Sequence, residues 1–131
     1  GIGWLSRPVS GAALDWAWNM TMQAGLRPTL KAAEAFSSTD FRPDLPAFNV
    51  PTMIIHGTSD KTVPIDPTAR MAASMINDVR LVEYAGSPHG LFETDRDRLI
   101  SDIMAFLNGE EPNSQDPENF VINPALPMGG Y

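Results

Sequence analysis

The sequence predicts an α/β chain built on a pair of parallel strands, and three observations carry that expectation. The run Thr52-Met-Ile-Ile-His56 is apolar and rich in β-branched residues, too short for a helix and closed by Gly57. A second strand-like run, Arg80-Leu-Val-Glu-Tyr84, follows a stretch in which Ala69, Ala72, Ala73 and Ile76 recur three and four apart, so strand, helix and strand form a parallel, right-handed unit. Asp60 and His89 stand just past the ends of the two runs. Open α/β sheets place their chemistry in loops at that end of parallel strands.

The 131 residues make one domain or part of one. No stretch approaches the roughly 18 uninterrupted apolar residues of a membrane span, so no membrane association is expected. The net charge is -7 and the nine basic residues are scattered, which argues against a nucleic-acid partner, because phosphate binding draws on clustered Lys and Arg. Four acids of a tail without Lys or Arg, Glu110, Glu111, Asp116 and Glu118, supply more than half of that charge. The absence of cysteine excludes disulfides, thiolate metal sites and a Cys nucleophile, fits a reducing compartment, and makes the cytoplasm the expected location.

Along the chain, Ser10 can cap a helix over Ala12 to Ala24, where Ala13, Trp16, Ala17, Met20 and Ala24 lie at helical spacing and Gly25 is a terminator. Arg27-Pro28-Thr29 restarts a helix with Leu30, Ala33 and Phe36, or Ala32, Ala35 and Phe36, on its apolar face. Core packing is the ordinary use of such faces; a partner domain or an apolar substrate channel is the other. The stretch from Ser37 to Pro46 reads as a non-helical, proline-bearing hinge. Thr52–His56 is expected to be buried on both faces, and Asp66-Pro67 to cap the crossover helix. Thr94 or Asp95 opens a last helix that turns Leu99, Ile100, Ile103, Met104 and Leu107 to the sheet, leaves Arg96, Asp97, Arg98 and Asp102 solvated, and stops at Asn108-Gly109. Beyond Glu110 an extended tail is expected, read as disordered, with Phe120-Val-Ile122 as its one apolar cluster and docking of that cluster on the body or a neighbour as the alternative.

Among chemistry-bearing groups, Asp60 and His89 fit the acid and base of a Ser-His-acid hydrolase, in which a buried carboxylate orients an imidazole toward a serine. Their chain order, acid then histidine, is that of α/β-hydrolases. None of the serines, Ser6, Ser10, Ser37, Ser38, Ser59, Ser74, Ser87, Ser101 and Ser114, has the flanking glycine pair of a nucleophile elbow, and Ser87 is too near His89 in sequence for good geometry. His56, inside an apolar strand, reads as a satisfied core group. With no His pair at ligand spacing and no Cys, no metal site is expected, and no glycine-rich phosphate loop is present, so no cofactor is expected.

Two stretches carry a family resemblance. Thr39-Asp-Phe-Arg-Pro-Asp-Leu-Pro-Ala-Phe-Asn-Val-Pro-Thr-Met-Ile-Ile-His-Gly-Thr-Ser-Asp-Lys-Thr-Val-Pro64, and Ala85-Gly-Ser-Pro-His-Gly-Leu91 before a helix ending Ala105-Phe-Leu-Asn-Gly109, resemble the α/β-hydrolase branch of cofactor-free haloperoxidases and small arylesterases. The resemblance implies the C-terminal half of an α/β-hydrolase fold: the end of a helical cap over residues 1–38, a connection over 39–50, the last two parallel strands with flanking helices over 51–109, and an acidic tail over 110–131. It implies Asp60 as acid, His89 as base, and Trp16, Met20 and Met22 as lining of an acyl pocket. The family's earlier strands, oxyanion donor and Gly-x-Ser-x-Gly elbow are expected upstream, on an N-terminal hydrolase half acting on a small ester. The assembled enzyme could form a homo-oligomer, and it admits perhydrolysis and halide oxidation beside hydrolysis. A non-catalytic remnant or binding module that keeps the sheet is the alternative.

Overall fold

The computed structural model describes residues 8–112 together with the strand residues Val121 and Ile122. Residues 1–7 at the start of the expected cap segment, and the rest of the expected tail including Phe120, lie outside the described residues. Helix α1, Gly11–Gln23, begins where Ser10 Oγ accepts the Ala13 N–H at 3.1 Å, the side-chain cap its sequence predicts. It ends one residue before expected: Ala24 is its extended C-cap, and Gly25, also extended, caps the start of α2, Leu26–Ser38. Neither helix buries a residue, and Trp16, Trp18, Met22, Leu30 and Phe36 are all exposed. Packing of these faces into a core therefore does not occur among the described residues.

The proline-bearing connection is less irregular than expected. Arg42–Ala47 forms a short 3-10 helix, opened by Asp40 Oδ1, which accepts the Arg42 N–H at 3.0 Å while its carboxylate takes Nε at 2.8 Å and Nη2 at 2.6 Å. Proline is tolerated there because the tighter turn asks for few N–H donors.

Strand β1, Thr52–Gly57, pairs in parallel with β2, Val79–Tyr84, from Thr52 opposite Val79 to Gly57 opposite Tyr84. The crossover is a π-helical turn, Asp66–Arg70, running into α3, Met71–Ala73. Asp66 does not cap it as expected; it lies inside the turn and accepts from Arg70 Nη1 at 2.6 Å. One face of β2 meets this crossover: Val79 and Leu81 join Ile65, Ala69, Ala73 and Ile76 in the core, and Glu83 is held by Arg70 through Nε at 2.8 Å and Nη2 at 2.6 Å. A two-pronged bond of this kind is what lets a buried carboxylate stay in such a place. Strand β1 is only half-buried, contrary to expectation, because among the described strands it has a neighbour on one side alone.

The last helical segment is broken at Asp95 into α4, Leu91–Thr94, and α5, Arg96–Leu107. Gly109, at φ 74°, closes α5: its N–H reaches the Phe106 carbonyl at 3.1 Å and that of Glu110 reaches Ala105 at 2.8 Å. The orientation of α5 overturns the expected stripe. Asp102, placed on the solvated face by its sequence pattern, is 0% exposed, whereas Ile100, Ile103, Met104 and Leu107 are exposed. The cause is Tyr84, whose buried phenol needs an acceptor and donates to Asp102 Oδ2 at 2.6 Å, while the Arg98 guanidinium lies 3.8 Å over its ring. Burial, then the hydrogen bond and charge of Asp102, push the Tyr84 phenol well above its usual range, so it remains a donor. Finally, β3, Val121–Ile122, adds antiparallel to β2 opposite Val82 and Leu81, so part of the apolar cluster does dock.

Tyr84→Phe removes the phenol's hydrogen bond to the buried Asp102, and should cost about 1–3 kcal/mol in urea unfolding, the scale of such a bond to a charged group. An unchanged midpoint would show that the other groups around Asp102 suffice to hold it.

Candidate active site

The register of the parallel pair ends β1 and β2 at the same level, so the loops beyond them leave side by side. They are latched together. The Thr58 N–H donates to the Tyr84 carbonyl at 2.9 Å, the Ser59 N–H to the Ser87 carbonyl at 3.0 Å, and the Gly86 N–H to Thr58 Oγ1 at 2.8 Å. Gly86 takes the positive φ of 69° that turns the second loop back. Gly57 is required by contact: a Cβ there would sit 2.2 Å from the Ser87 carbonyl oxygen.

This latch brings Asp60 and His89 together. His89 Nδ1 lies 2.7 Å from Asp60 Oδ2, so the ring donates from Nδ1 to the carboxylate. The other carboxylate oxygen, Oδ1, accepts the N–H groups of Thr62 at 2.9 Å and Val63 at 2.8 Å, which fixes the plane of the acid. The Asp60 side chain is only 4% exposed while that of His89 is 46% exposed, so the carboxylate is enclosed and the imidazole opens to its surroundings. Burial pulls the Asp60 carboxyl upward, but the Val63 N–H, the His89 ring and the Thr62 N–H outweigh it and hold the group below its ordinary 3.8. With Nδ1 committed to the acid, Nε2 is the ring atom left to exchange a proton.

The remaining sequence-predicted positions fare differently. Trp16, Met20 and Met22 are exposed on α1. The cavity of about 670 Å³ under the end of α2 is lined by Ser37 to Arg42, Ile54, His56 and the crossover, not by Asp60, His89 or those three. Ser87 is fully buried, and its hydroxyl has no hydrogen-bond partner among the described residues. Buried in that way it is no nucleophile for an outward-facing histidine. Among the described residues no group of three or more His, Cys, Asp or Glu could hold a metal ion, and no helix is long and apolar enough to cross a membrane. His56, read from the sequence as a satisfied core group, donates from Nε2 to the Val63 carbonyl at 2.9 Å, but its closeness to Asp60 Oδ2, 3.3 Å, escapes the sequence reasoning. Its position four residues before Asp60 is the available signal.

The family model for the alpha/beta hydrolase fold matches residues 17–96, a span that contains the latch, the acid and the histidine. The chain belongs to the α/β-hydrolase fold family. Within it, the similarity falls in the haloperoxidase and esterase branch. A non-heme chloroperoxidase of Kitasatospora aureofaciens is 38% identical over 72% of this chain and 35% of its own length. A bifunctional esterase/perhydrolase of Acinetobacter calcoaceticus is 33% identical over 79% of this chain and 36% of its own length. The crystal structure of a bromoperoxidase from Bacillus anthracis superposes with a TM-score of 0.73 at 37% identity, covering 76% of this chain and 36% of that one. The chain thus spans about a third of the length of the relatives it matches.

Two outcomes are expected of this α/β-hydrolase chain. Because the folded Asp60 carboxyl sits below the unfolded 3.8, its contribution to stability is present above that pH and is lost as pH falls through the folded value. The stability gap between the wild type and Asp60→Asn, measured by urea unfolding, should therefore be widest near neutrality and shrink below about pH 3.8; a gap independent of pH would remove the charged acid from the account. Gly57→Ala must displace backbone rather than a flexible side chain, and should destabilise by about 1–3 kcal/mol in the same assay, as overpacking does.

Proposed function

We propose that this chain supplies the acid and the base of a serine hydrolase that cleaves carboxylic, preferably aryl, esters. The observation that carries the reading is the 2.7 Å bond between an enclosed Asp60 and an outward-facing His89, at the carboxyl ends of two parallel strands. In this mechanism Nε2 of His89 takes the proton of a serine hydroxyl as that oxygen attacks the ester carbonyl, then returns it to the departing alcohol. Asp60 stays ionised, holds the Nδ1–H tautomer and stabilises the imidazolium. Water, activated by the same nitrogen, then releases the acid from the acyl-enzyme. Where hydrogen peroxide takes the place of water, the product is a peracid, a strong oxidant of halide. Relatives named as haloperoxidases and as an esterase/perhydrolase support that second outcome as a side activity.

The serine comes from outside this sequence, which contains no Gly-x-Ser-x-Gly. An N-terminal hydrolase half would bring the elbow serine, the oxyanion donors and the neighbouring strand of β1. The span of about a third of its relatives' length supports this division. Trp16, Met20 and Met22 would then face the acyl group from above, with apolar side chains made useful by the partner that covers them.

His89→Ala in the assembled enzyme should lower kcat for aryl-ester hydrolysis by several powers of ten while leaving KM nearly unchanged. Survival of turnover within tenfold would remove His89 from the mechanism. The isolated chain should be inactive, and a serine-directed organophosphorus probe applied to the assembled enzyme should add its mass to a serine outside these 131 residues. An adduct on this chain would overturn the division of labour.

A further inference from the structure

We infer that His56 is a positioning residue for the acid, a second imidazole that holds Asp60 in the orientation His89 needs. The inference rests on the triad reading above and deepens it. His56 Nε2 lies 2.9 Å from the Val63 carbonyl and 3.3 Å from Asp60 Oδ2, the same oxygen that His89 Nδ1 approaches at 2.7 Å. A carbonyl can only accept, so Nε2 of His56 carries the proton, and its positive edge also faces the carboxylate.

The consequence is a clamp on one residue. Asp60 Oδ1 accepts the N–H of Val63 while His56 donates to the carbonyl of Val63, so both peptide units of that residue are fixed from the acid's own surroundings. The loop that supplies the acid's two backbone donors is therefore tied back to β1, the strand it leaves. An apolar residue would satisfy the burial at position 56, where the side chain is 15% exposed and the strand is otherwise rich in Met and Ile. It would leave the Val63 carbonyl without this donor and the carboxylate without the second imidazole N–H that faces it. A histidine at this place thus serves Asp60 in a way that packing alone does not require.

In the assembled enzyme His56→Phe should lower kcat for an aryl ester roughly a hundredfold, the scale of a misplaced catalytic group, with KM within about twofold of wild type. His56→Gln, which keeps an N–H donor, should restore turnover to within about tenfold of wild type, whereas His56→Met, of similar length without a donor, should not. Because His56 acts through Asp60, adding His56→Phe to Asp60→Asn should cost almost nothing further. Losses that multiply, or Met performing as well as Gln, would make His56 an ordinary packing residue and overturn the inference; the Gln and Met pair decides the matter if the Phe variant does not fold. Unchanged turnover in Asp60→Asn would instead sink the triad reading and this inference with it. A normal loss there, with indifferent His56 variants, would sink this inference alone.

Discussion

The parallel register of β1 and β2 is the constraint on which the rest depends. Because Gly57 and Tyr84 are opposite each other at the strand ends, two loops that are distant in sequence begin at one level and one edge. The Tyr84 carbonyl then accepts from both, taking the Thr58 N–H at 2.9 Å and the Ser87 N–H at 3.2 Å. A shift of one residue in the pairing would turn every β2 side chain to the opposite face and part the acid from the histidine. The bareness of Gly57 is part of the same constraint, since it lets the second loop lie directly on the first.

At that same end of β2, a single buried hydroxyl decides the orientation of a helix. By apolar pattern alone, α5 should present Ile100, Ile103, Met104 and Leu107 to the sheet. It presents Asp102 and Arg98 instead, because Tyr84 leaves its phenol beneath the helix and only a polar face can answer it. The exposed stripe and the unburied faces of α1 and α2 fit a chain that spans about a third of its relatives' length, since a larger fold has more surface to set against them.

Much of this was legible in the residues. Short β-branched runs, a helical spacing between them and a glycine at the first turn are local signals, and they located both strands, the crossover and the loops of Asp60 and His89. The Asn108-Gly109 stop was legible for the same reason, since a left-handed glycine is a local requirement. The pattern was silent where one element answers another across the fold. Nothing near Asp102 in sequence announces Tyr84, and burial of β1 depends on neighbours outside the described strands, whereas Arg70, four residues after Asp66, is a local signal for the ion pair that takes Asp66 from the helix end. His56 lies between these cases. Its strand was legible, but its donation to Val63 depends on how tightly the adjoining loop curls back.

The short antiparallel pairing of Val121 and Ile122 with β2 makes the sheet polar in a way its parallel core is not. Along Leu81 and Val82 the main chain of β2 is engaged on both sides, so a further strand can add only beyond β1 or, over two residues, beyond β3. Growth of the sheet is thereby biased to one side, since β1 offers six residues of main chain and β3 only two. A template with one long edge and one short one favours pairing with a single complementary segment over open-ended stacking of like chains.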